Sequence, residues 1–389
     1  MPVINRIAEF HDDMKTWRRY LHQHPELQYE LPETLSFVTE RLREFGVDQI
    51  VERIGRSGIV ATIKGNGGDG PTVGLRADMD ALPIQEVRDL PYKSKHEGKM
   101  HACGHDGHTT MLLGAARYLA ETRNFSGSVA LIFQPAEEGG AGARAMCDDG
   151  LMERFGISRV FAMHNKPGTP AGSFQMCRGP IMAAADTFSI TVKGQGSHAA
   201  FPHESVDPVI VAVQIVQGLQ TLVSRNTDPL KSLVVSVTQI HAGTTDNVIA
   251  ETAMLGGTVR SFDAGLRAAV PDLMRRVVNN TAAAFGAGAE IDYVPGYPAT
   301  VNDDAEMEFA ASVATSVAGK EMVDVEHAPE MGAEDFSFML EERPGAYVYL
   351  GQGEGAGWHH PEFDFNDEVS PVGASYFVRL VEEGQPARA

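Results

Sequence analysis

Residues 101–108 read HACGHDGH and bring three histidines, a cysteine and an aspartate into one short segment. Thiolate and imidazole are favoured ligands of zinc and similar ions, and two such groups with one residue between them can hold one metal. The alternative is a loop of solvated histidines before the apolar helix predicted from Met111 to Leu119. A cysteine among so many histidines favours the metal site.

Two adjacent glutamates are the second candidate feature. Glu137 and Glu138 follow an apolar strand predicted over residues 128–133 and precede Gly139 and Gly140. Neighbouring carboxylates point in different directions, so one can bind a metal while the other faces a substrate. Glutamate pairs are usually just solvated, but a pair between a buried strand and a glycine-rich loop favours a functional site.

Two further histidine positions follow predicted strands. His164 comes directly after the strand over residues 159–163, and the pair His359-His360 follows the strand over residues 346–350 and a glycine-rich loop. Taken alone, His164 reads equally well as a hydrogen-bonded core histidine. Taken together, the candidates fall at four strand-to-loop junctions of one sheet, which is the arrangement that a binuclear hydrolase needs.

The elements that must position these side chains alternate between helix and strand. Pro32 marks a helix start and Gly46 ends the amphipathic run before it. Apolar strands are predicted over residues 58–64, 72–77, 128–133 and 159–163. Buried strands that alternate with helices predict an α/β fold, a doubly wound and mostly parallel sheet with helices on both faces. Ligands collect beyond the carboxyl ends of such strands.

A different pattern begins near residue 180. A strand over residues 187–192 has one polar and one apolar face, and an apolar helix, two strands, the helix 266–285 and a last strand follow it. The order predicts a smaller α+β domain between two Pro- and Gly-rich connections. We therefore predict a metal-binding catalytic domain of residues 1–182 and 294–389. Residues 183–293 form the predicted insert, a lid or dimerisation domain.

Together these motifs resemble the family of aminoacylases, hippurate hydrolases and indoleacetyl-amino-acid hydrolases, which are dinuclear metal amidohydrolases related to metallopeptidases. The HACGHDGH and PAEE blocks are highly specific in combination, and the resemblance runs nearly the whole length of the chain. The matching stretches are residues 19–26, 76–83, 100–114, 134–139, 196–200, 202–203, 247–249, 258–260, 334–336 and 359–361.

The resemblance implies a site with two divalent metal ions per subunit and one catalytic base. The implied metal ligands are Cys103, His105, Glu138, His164 and His359. Glu137 is implied as the general base, which takes a proton from an activated water and delivers it to the leaving amine. A mixed Cys, His and Glu site suits zinc, manganese, cobalt or nickel. Many related metallopeptidases have a His-x-Asp motif where this chain has Arg76-Ala77-Asp78, so Arg76, Asp78 and Asp80 are interpreted as scaffold rather than ligands.

The inserted domain carries three further residues to which the resemblance gives roles. His198 is the implied donor to the oxyanion, contributed by the partner subunit in related dimers, and Asn247 and Arg260 resemble the substrate-binding pair. A turn histidine and a surface arginine are the alternative interpretations. The implied activity is hydrolysis of the amide bond of an N-acyl amino acid or a related small N-acyl compound.

Two other functions remain open. Cys103 could be the nucleophile of a cysteine amidase, activated by His105 or His108, but this leaves the glutamate pair, His164 and His359 unexplained. A non-catalytic binding scaffold of the same fold is the other alternative, and the presence of Glu137 argues against it.

Composition limits the classes of binding partner and the cellular compartment that we expect. Acidic side chains number 52 against 32 basic ones, a net charge of -20 that repels phosphate backbones and argues against nucleic acid. No run approaches the roughly 20 apolar residues of a membrane span, and charged side chains interrupt the region where a secretion signal would be apolar. Three cysteines offer no disulfide framework. We therefore expect a cytoplasmic protein that acts on a small molecule. The resemblance and the half-polar strand of the insert favour a homodimer or a higher homo-oligomer.

Overall fold

The computed structural model describes residues 3–387 and divides the chain into two compact units. The first unit comprises the described residues up to Ile181, Val301–Ala328 and those from Asp335 onward. The second, inserted unit comprises Met182–Thr300 and Pro329–Glu334. Each unit has its own hydrophobic core.

Both units are built from β-strands and α-helices. The strands are β1 Gln49–Ile54, β2 Gly58–Lys64, β3 Thr72–Asp78, β4 Ser128–Gln134, β5 Ile157–Pro167, β6 Phe174–Gln175, β7 Gly179–Met182, β8 Ala184–Lys193, β9 Ser197–His198, β10 Leu233–Ala242, β11 Val248–Ile249, β12 Thr252–Ser261, β13 Gly288–Tyr297, β14 Thr300–Asn302, β15 Val323–Asp324 and β16 Gly345–Gly353. The α-helices are α1 Asn5–Glu9, α2 His11–Gln23, α3 Pro32–Phe45, α4 His105–Thr122, α5 Gly142–Asp148, α6 Leu151–Arg154, α7 Pro208–Thr221, α8 Ala264–Ala284, α9 Asp304–Ala318, α10 Ser337–Glu342 and α11 Ser370–Gly384. Short 3₁₀ segments cover Pro202–Glu204, Lys320–Met322 and Asp367–Val369, and a π-helical turn covers Leu222–Asn226.

The first unit is built on one sheet in the order β1-β2-β4-β3-β5-β16-β6-β15. Its four central strands, β4, β3, β5 and β16, are mutually parallel, as predicted. The sheet as a whole is mixed, because β2 runs antiparallel to β4 and to β1. The strand Gly58–Lys64 was expected in a largely parallel sheet. Its apolar run is buried along most of its length, and such a run carries no signal for direction.

Helix α3 shows how local sequence sets the predicted boundaries. It begins at Pro32 and ends at Phe45, and Gly46 follows with a φ of 72° in the left-handed conformation that glycine adopts without a steric penalty. Both ends agree with the sequence prediction. The side chains of Val38 and Leu42 are buried in the core of the first unit.

The inserted unit contains an antiparallel sheet in the order β10-β12-β8-β13, against which α7 and α8 pack. Strand β8 alternates buried and more exposed residues, as its predicted polar and apolar faces require. The elements follow the predicted order of strand, helix, two strands, helix and strand. The predicted boundary at residue 293 falls inside β13, which continues to pair with β8 as far as Tyr297, so the unit extends beyond it.

No helix within residues 3–387 is long and apolar enough to cross a membrane.

Candidate metal centre

The candidate ligands lie at the carboxyl ends of the four central parallel strands. Glu137 and Glu138 follow β4, and His359 lies in the loop after β16. Cys103 and His105 stand at the end of the long segment that joins β3 to α4. His164 was expected just after its strand, but β5 continues to Pro167 and holds this side chain within the sheet.

All five predicted ligands meet in one cluster of the first unit. The candidate ligand atoms of Cys103, Glu138 and His359 lie within 4.8 Å of one another, and so do those of His105, Glu137 and Glu138. The Sγ atom of Cys103 lies 3.5 Å from Nε2 of His164. The structure therefore brings together every side chain to which the sequence analysis gave a ligand role.

Two of the histidines are oriented by hydrogen bonds to backbone carbonyls. His105 Nδ1 lies 2.8 Å from the carbonyl oxygen of Asp80, and His164 Nδ1 lies 2.8 Å from that of Asn165. When Nδ1 donates its proton to such a carbonyl, the neutral ring carries a free lone pair on Nε2. Trp358 donates its indole N–H to the same Asn165 carbonyl at 3.1 Å, and its ring stands edge-on to that of His164.

Asp80 organises the glutamate pair. Its two carboxylate oxygens accept the backbone N–H groups of Glu137 at 2.9 Å and Glu138 at 3.1 Å. Since its carbonyl also accepts from His105, this one residue fixes three members of the cluster. Asp80 is fully buried, and burial raises the pKa of its carboxyl group.

The carboxylate of Asp78 is bound by neighbouring side chains of the first unit. Its carboxylate lies 2.8 Å from Arg76 Nη1 and 2.6 Å from His108 Nδ1, and Arg76 also reaches Asp335 at 3.2 Å. Burial opposes ionisation of Asp78, but Arg76 and the two histidines beside it lower its pKa well below the usual range. Asp78 and His108 still lie close enough to His105 and His164 to form an alternative ligand group.

The loops that carry the cluster contain strained backbone. Gly104 has a φ of 105°, and a Cβ atom there would stand 2.2 Å from Oδ1 of Asn165, so only glycine fits between Cys103 and His105. His359 has a φ of 61°, which costs a non-glycine residue roughly 1 to 3 kcal/mol. Its backbone N–H donates to the Ala102 carbonyl at 2.7 Å, which joins the two loops.

Burial and neighbouring charges together set the ionisation of the cluster. Burial raises the pKa of the Cys103 thiol to about 12 and lowers that of His164, which stays neutral. Burial also opposes ionisation of Glu138, but His359 and His105 lower its pKa overall. A buried thiol of this kind ionises readily only beside a strong positive charge such as a metal ion.

Comparison with known proteins identifies the family. The sequence profile of Peptidase family M20/M25/M40 matches residues 74–383. The chain belongs to this family. It is 44% identical over 372 residues to the N-acetylcysteine deacetylase of Bacillus subtilis (strain 168), covering 95% of this chain and 96% of that protein. It is 40% identical over 380 residues to the hippurate hydrolase of Campylobacter jejuni, covering 98% of both.

A solved structure extends the likeness to the whole fold. The crystal structure of a dinuclear metal-binding peptidase of the M20 family from Bacillus subtilis matches with a TM-score of 0.86 and 39% identity, covering 97% of this chain and 99% of that one. The predicted family and α/β fold class are confirmed. This M20-family protein is a hydrolase of amide bonds, as its motifs predicted.

The three remaining predicted residues, His198, Asn247 and Arg260, belong to the inserted unit. His198 is on β9 and is exposed, and Asn247 lies beside it in the lining of a pocket of about 740 Å³ within the inserted unit. The Ala200 N–H donates to His198 Nδ1 at 3.1 Å, so the neutral ring carries its proton on Nε2. Arg260 is on β12 and is half-buried.

Sequence reasoning missed a buried polar network beside the centre. It includes Arg18 and His22 of α2 and Asp106, the residue after His105. Arg18 and His22 share a helix face with Met14 and Leu21, and all four side chains are buried. A cation and a histidine within an apolar stripe are the signal that would have found them, because buried charges need partners.

Proposed function

We propose that this protein hydrolyses the amide bond of N-acyl amino acids at a centre of two divalent metal ions. The proposed ligands are Cys103, His105, Glu138, His164 and His359. The observation that carries the proposal is the convergence of these five side chains from neighbouring strand ends and loops.

The donor set fits a metal. His105 Nε2 is buried and has no hydrogen-bond partner among the described residues, which is costly unless a cation lies beside it. Glu138 Oε1 is also buried and lies 3.3 Å from Nε2 of His359, another proposed ligand. The carbonyl contacts of His105 and His164 resemble the outer contacts that orient metal-bound histidines. Thiolate, imidazole and carboxylate together suit zinc, manganese, cobalt or nickel.

Glu137 is the proposed general base. When bound, the ions would supply a water nucleophile at neutral pH by lowering its pKa to about 7. The Glu137 carboxylate would take the proton of that water and return it to the nitrogen of the leaving amine, so that amide and water yield acid and amine. Its backbone is held by Asp80, which keeps the carboxylate at a fixed place beside the ligands.

The relatives' names support the class of substrate. Deacetylation of N-acetylcysteine and hydrolysis of hippurate both cleave an amide that joins an acyl group to an amino acid. The test is a screen of the metal-reconstituted protein against a panel of N-acyl amino acids, with dipeptides and simple amides as comparators. Cleavage of the simple amides alone would refute the proposed substrate class.

Arg260 is the proposed reader of the substrate's free carboxylate. No carboxylate among the described residues lies within 4.0 Å of its guanidinium. Asp186, whose charge also acts on Arg260, is already bound by Arg267 Nη2 at 2.7 Å and by the Tyr293 hydroxyl at 2.7 Å. The planar guanidinium group of Arg260 is thus available to bind an anion.

Replacing Arg260 with Ala should lower kcat/KM for N-acyl amino acids by about 10- to 100-fold, because a charge-assisted hydrogen bond contributes roughly 1.5 to 3 kcal/mol. The matching N-acyl amino acid amides, which lack the charge, should lose much less. Arg275→Ala, an exposed arginine of α8, is the control and should change neither. Equal losses on both substrate types would show that Arg260 does not read the carboxylate.

The inserted unit is the proposed dimerisation surface. The side chains of Val209, Ile210 and Val213 on α7 are 42%, 52% and 42% exposed and form an apolar stripe. Strand β10 is an edge of its sheet, and its second half is exposed, with Ile240 at 54%. An open edge beside an apolar helix face suits a second copy of the chain.

His198 is proposed to donate its Nε2 proton to the oxyanion of the partner subunit's site. We expect mixtures of inactive Glu137→Gln and inactive His198→Ala chains to regain activity after subunit exchange, because one site of each mixed dimer would then contain both residues. In the control mixture, His203→Ala takes the place of His198→Ala. His203 is an exposed histidine of the same unit, so this variant should be active on its own. No recovery in verified mixed dimers would exclude action in trans.

The rival cysteine amidase loses support from the geometry. Cys103 is buried, and its pKa is raised to about 12, which is unfavourable for a nucleophile that acts without a metal.

We propose a cytoplasmic location, because all three cysteines are free and buried.

A further inference from the structure

The ligand loops of the first unit are joined by a largely buried network of charged side chains that the mechanism above does not use. Arg18 of α2 donates through Nε and Nη2 to the two carboxylate oxygens of Asp367, at 2.7 and 3.0 Å. Its remaining nitrogen, Nη1, lies 3.4 Å from Asp364 and 3.7 Å from Asp106. Arg18, Asp106 and Asp367 are buried, and the side chain of Asp364 is 16% exposed.

One helical turn further along α2, His22 completes the network. Its Nδ1 lies 2.8 Å from Asp106 Oδ2, and its Nε2 lies 3.4 Å from Glu86 Oε1. Burial opposes protonation of His22, but Asp106 and Glu86 raise its pKa to about 9, so both nitrogens donate at neutral pH. Glu86 is itself held by the Ser94 N–H at 2.7 Å.

The acids in this network flank two different groups of proposed ligands. Asp106 follows His105 directly and lies in the first turn of α4. Asp364 and Asp367 follow His359 on the segment that leaves its loop, and the Tyr92 hydroxyl donates to Asp364 at 2.8 Å. The ring of Phe365 packs on α4, where a Cβ at Gly107 would stand 2.3 Å from it. Arg18 therefore bridges the α4 start and the His359 segment.

We propose that Arg18 and His22 are positioning residues for the metal centre, which hold the His105 and His359 loops at one fixed separation. Their hydrogen bonds and ion pairs go to acids and not to the proposed ligands themselves. They act through Asp106 on one side and through Asp364 and Asp367 on the other. Outer contacts of this kind commonly change metal affinity by about 10- to 100-fold. The inference rests on the proposed metal centre.

The test measures zinc affinity of the metal-free full-length protein by competition with a chromophoric chelator, well below the unfolding temperature of each variant. His22→Leu and Arg18→Lys should each bind zinc at least about 10-fold more weakly than the wild type. His22→Asn, whose amide can still donate to Asp106, should recover most of the loss. Arg159→Lys is the matched control and should keep wild-type zinc affinity, because Arg159 is a partly buried arginine of the first unit that pairs with Glu306 and not with the acids of this network.

The outcomes distinguish a failure of the positioning role from a failure of the proposed metal centre. Variants that unfold at lower temperature but keep wild-type zinc affinity would show a merely structural role and overturn the inference alone. A wild-type protein that binds no zinc, manganese, cobalt or nickel would overturn the proposed function as well. Should His22→Leu not fold, Tyr92→Phe removes the hydroxyl that donates to Asp364 and should still weaken zinc binding. Unchanged affinity in that variant would also overturn the inference.

Discussion

Replacing Glu137 with Gln is expected to reduce amide hydrolysis by about 100- to 10,000-fold while the metal content stays at the wild-type level. Gln has nearly the same shape and cannot accept the proton of the attacking water. The Glu137 backbone is fixed by its N–H bond to Asp80, which the substitution leaves in place. The variant should therefore fold and bind metal normally but fail at the chemical step.

The same substitution at Glu138 should have a different effect. Glu138→Gln changes a proposed ligand, so it should lose metal and activity together. Because Glu137 also lies within 4.8 Å of the candidate atoms of His105 and Glu138, the metal content of both variants decides which glutamate is the ligand. Loss of metal from Glu137→Gln, or near-normal turnover by it, would contradict the assigned roles.

Replacing Cys103 with Ala is the second substitution with a large expected effect. It removes an anionic ligand from a buried cluster, so the loss of metal affinity should exceed the roughly 10- to 100-fold that outer contacts cost. Cys103→Asp keeps an anion at the same place and should retain more metal and more activity than Cys103→Ala. Measurement of metal content and kcat/KM for both variants tests whether Cys103→Asp exceeds Cys103→Ala.

The two Cys103 variants also separate the metal mechanism from a cysteine nucleophile. A nucleophilic cysteine could not be replaced by aspartate with retention of activity. Cys147→Ala, another buried free cysteine of the first unit, is the matched control and should leave metal content unchanged. A covalent acyl-enzyme trapped on Cys103 would overturn the ligand assignment.

Much of the fold was predictable because local chemistry specifies it. Pro32 and Gly46 bound α3 through their own backbone preferences, and the alternating burial of β8 follows from its alternating residues. The places of Glu137, Glu138 and His359 were predictable from polar residues after apolar strands. Strand direction was not, since the buried strand β2 has the same apolar run whether it runs parallel or antiparallel.

The fine structure of the site depends on contacts between residues far apart in the chain. The bonds from the Asp80 carboxylate to the glutamate pair cannot be read from spacing, although its scaffold role was inferred by analogy. The end of β5 at Pro167 is set by its pairing with β16, and this pairing places His164 within the strand. The Arg18 and His22 network required the packing of α2 against α4, which no local pattern encodes.

The most direct test of the central claim is a crystal structure of the metal-reconstituted protein with anomalous diffraction recorded at the metal's absorption edge. Two anomalous peaks per chain are predicted, both within coordination distance, about 2.0 to 2.3 Å, of atoms from Cys103, His105, Glu138, His164 and His359. Peaks coordinated instead by Asp78 and His108, a single peak, or none at these side chains would contradict the account.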